Sequence, residues 1–190
     1  MGRIVVTEFV SLDGVMEDPG GAEDFKYGGW TFEIDRGEEG DKFKFDEVME
    51  AEAQLLGRVT YEGFAAAWPN YQDEVGFADK MNSMPKYVVS STLQSADWNN
   101  STILGPYSAE AIRALKDRIE GTIYVSGSAT LVRAMLADGL LDELHLFVFP
   151  LALGEGQRLF EDGGRPARLT LAASESYESG VVHLDYRPAQ

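Results

Sequence analysis

Apolar positions along this chain alternate between the period of a strand and that of a helix, and the alternation sets out its elements. Arg3 to Ser11 carries Ile4, Val5, Val6, Phe9 and Val10 and ends at Ser11-Leu12-Asp13-Gly14, where Asp-Gly marks a turn, so it predicts a first strand. From Val15 to about Gly40 the pattern lapses. Glycines and Pro19 break any regular element, while Tyr27, Trp30 and Phe32 are too apolar for a linker, which predicts a long loop covering a site. Asp41 to Ala53 turns helical, with Phe45, Val48 and Met49 on one stripe, and Gln54-Leu55-Leu56 reads as a short buried strand. Helices are predicted over Thr60 to Ala67, stopped by Trp68-Pro69, and over Val75 to Met81. Lys86 to Ser90 and Ser101 to Leu104 supply two more strands. Ser108 caps a helix whose Ile112, Leu115 and Ile119 share a face, with Lys116 and Arg118 near its negative end and Gly121 beyond. Thr122 to Val125 is a fifth strand, Ser128 caps a helix carrying Leu131, Met135 and Leu136, and Glu143 to Phe149 is a long apolar strand. Arg168 to Ala173 and Gly180 to Tyr186 form a closing hairpin.

Strands alternating with helices imply an α/β fold of three layers, a mostly parallel sheet covered on both faces with an antiparallel hairpin at one edge. At 190 residues and 44% apolar, one compact domain is expected over the whole chain. Without cysteine there is no disulfide, thiolate metal site or thiol nucleophile, and His145 and His183 alone make no zinc cluster, so metal-free chemistry is expected. A net charge of −16 argues against nucleic acid or an anionic membrane as partner. No apolar stretch approaches the roughly 20 residues of a membrane helix, and no signal peptide precedes the first strand, which predicts a cytoplasmic protein.

Three strand ends carry candidate chemistry. At Leu56-Gly57-Arg58-Val59-Thr60, glycine permits close backbone approach, Arg58 offers a fork of donors and Thr60 a hydroxyl at a helix start. Ser90-Ser91-Thr92 follows the third strand, and Ser126-Gly127-Ser128-Ala129-Thr130 joins the fifth strand to the next helix. Such turns present backbone N–H groups and a helix dipole to phosphate, though each also reads as a plain capped turn. His145 and His183 lie in strand-like segments, where a lone histidine is more often a hydrogen-bonded structural residue. Asp41 opens the second segment and reads as an N-cap, while its spacing to Phe45 and Val48 brings its carboxylate near the buried stripe.

Taken in order, Ser11-Leu12-Asp13-Gly14, Leu56 to Tyr61, Tyr87 to Ser91, Tyr124 to Ser128, and Asp142-Glu143-Leu144 leading to Pro150 and Leu153 to Gly156 resemble the dihydrofolate reductase-like superfamily. Within it, the chain is similar to the C-terminal reductase domain of the bifunctional riboflavin-biosynthesis deaminase/reductase. The resemblance implies an NADPH-dependent reductase of a small heterocyclic or ribosyl substrate, acting as a homodimer. Arg58 and Thr60 would lie on the phosphates beside Gly57, Ser90 and Ser91 near the 2′-phosphate, and Ser126, Gly127, Ser128, Ala129 and Thr130 around the pyrophosphate. The Asp13-Gly14 turn would border the nicotinamide ribose, and Asp41 would be the catalytic carboxylate of the helix before the second strand. Dihydrofolate reductases carry Gly-Gly where this chain has Gly127-Ser128, which argues against folate as substrate. A second reading keeps the cradle without catalysis, as a nucleotide-binding or sensing protein.

Overall fold

The computed structural model describes residues 1–189. Its elements run β1 (Arg3–Ser11), α1 (Gly37–Glu50), β2 (Ala51–Gly57), α2 (Arg58–Ala67), α3 (Phe77–Ser83), β3 (Lys86–Val89), β4 (Ser101–Gly105), α4 (Ala109–Arg118), β5 (Thr122–Ser126), α5 (Ala129–Ala137), β6 (Glu143–Phe149), β7 (Leu169–Ser176) and β8 (Val182–Pro188). All eight strands join one sheet in the order β4-β3-β2-β5-β1-β6-β8-β7. The first six strands are parallel, and β8 and β7 return antiparallel at one edge. The α/β reading with a terminal hairpin therefore holds.

Each face of the sheet buries its own apolar set. Ile4, Val6, Leu55, Ile123 and Val125 pack with Ile112 and Leu115 of α4 and Leu131, Val132 and Met135 of α5. On the other face Leu56, Val88 and Tyr124 meet Val48 of α1, Tyr61 of α2 and Met81 of α3. Beyond α1 the same face carries an aromatic group, Trp30, Phe147, Phe149 and Tyr177, with Phe9 and Phe43 against it. Trp30 belongs to the long loop and is 1% exposed, its indole N–H donating to the Glu17 carbonyl at 2.8 Å. The Asp18 carboxylate accepts from the amides of Ala22 and Phe25 and holds the middle of that loop in place.

Several boundaries differ from the sequence reading. α1 starts at Gly37, with Arg36 in the N-cap position, so Asp41 lies inside the helix and is not its N-cap. The Asp35 carboxylate accepts the Gly37 amide at 2.8 Å and nucleates this earlier start. The inward stripe also differs: Met49 is 38% exposed, while Lys44 and Glu47 lie inside beside Val48. Ser108 caps α4 as expected, accepting from the Ala111 amide, whereas the Ser128 side chain makes no cap to α5. The hairpin strands reach Ser176 and Pro188, beyond the predicted Ala173 and Tyr186.

Candidate active site

Because six strands run parallel, their C-terminal ends share one edge, and the order β3-β2-β5-β1 sets the predicted turns side by side there. Two of them interlock. A Cβ added to Gly57 would meet the Ser128 Cβ at 2.7 Å and its hydroxyl closer still, and one added to Gly127 would meet the Thr60 hydroxyl at 2.8 Å. Glycine is thus required at both positions by contact, and at Gly127 also by a φ of +79°. Ser128 follows at φ +69°, a second left-handed residue in succession. Neither α2 nor α5 has a side-chain cap, so the first-turn N–H groups of two adjacent helices face the same edge. Ala129 is buried behind this turn and Thr130 is exposed on it, with Ser126 half-buried before it.

Arg58 lies at the start of α2 and pairs with Glu62 at 2.7 Å across an exposed helix face. It lines a cleft of about 250 Å³ with Ser90, Ser91, Thr92, Pro106 and Tyr107. Ser90 is buried, its hydroxyl accepting from the amides of Thr92 and Leu93, so it shapes the turn, while Ser91 is exposed at the cleft.

At the end of β1 the Asp13-Gly14 turn, with Gly14 at φ +80°, is tied to a distant loop. The Asp13 carboxylate accepts from the amides of Leu153 (3.1 Å) and Gly154 (2.8 Å) and from the Ser11 hydroxyl (2.6 Å), and Arg158 donates to the Asp13 carbonyl. The Ser11 hydroxyl most of all, against some burial and with both amides, holds the Asp13 carboxyl down at about 2. Its oxygens are committed to fixing this rim of the site.

The face beneath α1 carries a polar network absent from the sequence reading. Glu47 accepts from Lys44 (2.7 Å), from His145 Nδ1 (2.9 Å) and from the Thr7 hydroxyl, and Lys44 also donates to the Tyr124 hydroxyl at 2.8 Å. Burial raises the Glu47 carboxyl, but the Lys44 ammonium and the three donors outweigh it and leave the carboxyl at about 2. Glu47 is therefore an enclosed, ionised carboxylate. Asp41, the predicted catalytic carboxylate, lies near the start of α1, its side chain 61% exposed and paired with Arg36 at 2.8 Å. The structure does not bring Asp41 together with the interlocked turns.

Glu8 is the second residue the sequence reading passed over. It is 4% exposed, and both its oxygens lie within reach of the Gly127 amide, at 3.1 and 3.2 Å. Burial pushes its carboxyl up to about 8, against the pull of the Gly127 N–H and Lys44 and with a further push from Glu47. The available signal was an acid inside a β-branched run, where charge is costly unless neutralised or paired.

Comparison with known proteins agrees with this architecture. The chain is 28% identical over 187 residues to the uncharacterized protein YyaP of Bacillus subtilis (strain 168), covering 97% of this chain and 94% of that one. RibD of Acinetobacter baumannii superposes with a TM-score of 0.65 at 18% identity, over 100% of this chain and 59% of that one. Dihydrofolate reductase of Enterococcus faecalis, complexed with NADP(H), does so with a TM-score of 0.60 at 16% identity, over 99% of this chain and 97% of that one. At such identities the two structures show a shared fold, that of dihydrofolate reductase. The family of the RibD C-terminal domain matches residues 3–183, and with a match along nearly its whole length the chain belongs to that family, one of NADPH-dependent reductases.

Proposed function

We propose that the protein is an NADPH-dependent reductase, similar to 5-amino-6-(5-phosphoribosylamino)uracil reductase, transferring hydride to a small heterocyclic or ribosyl substrate. The observation that carries this reading is the interlock of Gly57 with Ser128 and of Gly127 with Thr60, which sets two uncapped helix starts on one sheet edge. Such paired N-termini favour a diphosphate, and the absence of a Cβ at both glycines lets Ser128 and Thr60 close in and hold the two helix starts together. Arg58 is the cation of the adjoining cleft, with the Ser91 hydroxyl beside it, and together they suit a 2′-phosphate. Releasing Arg58 from Glu62 costs little, since an exposed pair of this kind is worth ~0.2–1 kcal/mol. In a chain of net charge −16 this local cation matters more than its single charge implies.

The cofactor supplies the hydride when bound. The chain's part is to hold phosphates at the two turns, to fix the rim through Asp13 and to cover the aromatic face with the anchored loop around Trp30. Reduction of a C=N bond also consumes a proton. Glu47 is ionised and enclosed, Asp41 is exposed and paired, and Glu8, though protonated, is buried behind the Gly127 amide, so water is the donor in this reading. The same lack of an accessible acid among these residues favours a second reading, a nucleotide-binding protein without turnover.

A fluorescence titration with NADPH and NADH, on the protein and on Arg58→Ala, tests the cofactor before a substrate is chosen. Micromolar NADPH binding that weakens roughly tenfold in the variant is expected. No binding at millimolar NADPH overturns the reading, and bound NADPH that is never oxidised by pterins or pyrimidine ribosides leaves the second. A homodimer belongs to the proposal, and sedimentation at the mass of one chain at micromolar concentration would reject it.

A further inference from the structure

We infer that Glu8 is the positioning residue of the Gly127-Ser128 turn, holding its leading amide from behind and thereby setting the affinity of the neighbouring amides for nucleotide phosphate. The inference rests on the cofactor reading above and adds a residue to it.

Gly127 and Ser128 adopt left-handed backbone in succession, and Thr60 closes on Gly127 from the neighbouring helix start. A turn so wound turns its first N–H inward, away from the edge where phosphate would lie. That donor needs an acceptor, and the Glu8 carboxyl, reaching from mid-β1 with either oxygen within hydrogen-bond distance, supplies one. An unpaired amide there would cost ~1–3 kcal/mol and would let the turn rotate.

The choice of an acid has a consequence for charge. A carboxylate behind the phosphate-binding amides would oppose the potential they create, whereas a neutral carboxyl accepts the same hydrogen bond without that charge. Enclosure keeps Glu8 neutral up to about pH 8. Anion binding and Glu8 protonation must then favour each other, so affinity falls as pH rises through the Glu8 range. The charged groups that act on Glu8 are Lys44 and Glu47 of α1, from the other face of the sheet, and they oppose one another. The first turn of α5, Ala129 to Val132, carries no titrating side chain, and neither does Leu146, the β6 residue beside Glu8. Lys86 of β3, which burial brings down to about 8, titrates in the same window and is kept in every variant below.

The test is the NADPH dissociation constant from pH 7 to 9.5 for the wild type, Glu8→Gln and Glu8→Ala, with the Gly127 amide followed by NMR. Gln keeps an acceptor and cannot ionise. Wild-type affinity should weaken roughly tenfold across the range, while Glu8→Gln holds its pH 7 value and Glu8→Ala binds weakly throughout. The Gly127 amide resonance should titrate near pH 8 in the wild type alone. Superposed pH profiles for wild type and Glu8→Gln, with NADPH bound, overturn the inference and leave the cofactor reading standing. Absence of NADPH binding at every pH overturns both, and a Gly127 resonance that still titrates would then reduce Glu8 to a structural acceptor.

Discussion

Adding one methyl group at Gly57 tests the interlock on which the site is built. Gly57 has extended backbone (φ −80°, ψ 165°), so Gly57→Ala brings no conformational strain and any cost is steric. The new Cβ lies 2.7 Å from the Ser128 Cβ. Carbon atoms pack at about 3.5–4.0 Å, so the turn after β5 must retreat by roughly 1 Å. Ser128, held at φ +69°, has little freedom to yield. Overpacking of this kind costs ~1–3 kcal/mol, and we expect about 2 kcal/mol by urea denaturation at an unchanged m-value. Ser128→Gly removes the atoms in the way. Alone it is nearly neutral, because relief of a left-handed serine (~1 kcal/mol) is offset by the greater freedom of glycine in the unfolded chain (~0.5–1 kcal/mol). The double variant should therefore recover most of the loss, a coupling of about 1.5 kcal/mol. Coupling below about 0.5 kcal/mol would show that the two turns do not touch and would remove the basis of the phosphate cradle.

Two further predictions concern Glu47 and Asp13. Glu47 titrates at about 2 in the folded chain against an ordinary 4.5, so the stability it contributes is fully present above pH 4.5 and is lost as pH falls toward 2. Glu47→Gln should cost about 3 kcal/mol at pH 7 by leaving Lys44 without its counter-charge, and the gap to wild type in urea denaturation should close on acidification below 4.5; a gap independent of pH would refute the ion pair. Asp13→Asn weakens the tie to the loop after β6, and roughly tenfold faster hydrogen exchange at Leu153 and Gly154 is expected at pH 7, with exchange in β1 and β6 unchanged. Unaltered exchange at those two amides would mean that the loop is held by its other contacts.

The strands were legible because each is a run of apolar, β-branched residues bounded by turn formers, and for β1 and β6 the predicted limits coincide with the observed ones. The strand order was not written in any local pattern, yet parallel connection alone places the three hydroxyl turns on one edge, which is why they could be read as one site. The interior of that site was hidden by charge. A hydropathy stripe assigns Lys44, Glu47 and Glu8 to solvent, but each is enclosed because its partner comes from far along the chain: Tyr124 lies 80 residues from Lys44, His145 98 from Glu47, and Gly127 119 from Glu8.

The displaced carboxylate of α1 shows how counting misleads. Asp41 was placed by its distance from the second strand, and distance along a helix carries no information about face unless the face is already known. Six residues at about 100° each leave Asp41 and Glu47 roughly 120° apart around the axis. Yet Asp41 lies only about 20° from the buried Val48 around the axis, so its exposure comes from its place near the helix start, seven residues or about 10 Å before Val48, where it pairs with Arg36, whereas Glu47 meets Thr7 and His145 on the sheet. The sequence offered one cue to the enclosed pair, since Lys44 lies four residues before the buried Val48, on one face with it, and Glu47 lies three residues beyond Lys44. A charged pair three residues apart whose lysine shares the face of a buried valine is thus better read as an enclosed ion pair awaiting partners from the sheet than as a solvated helix face.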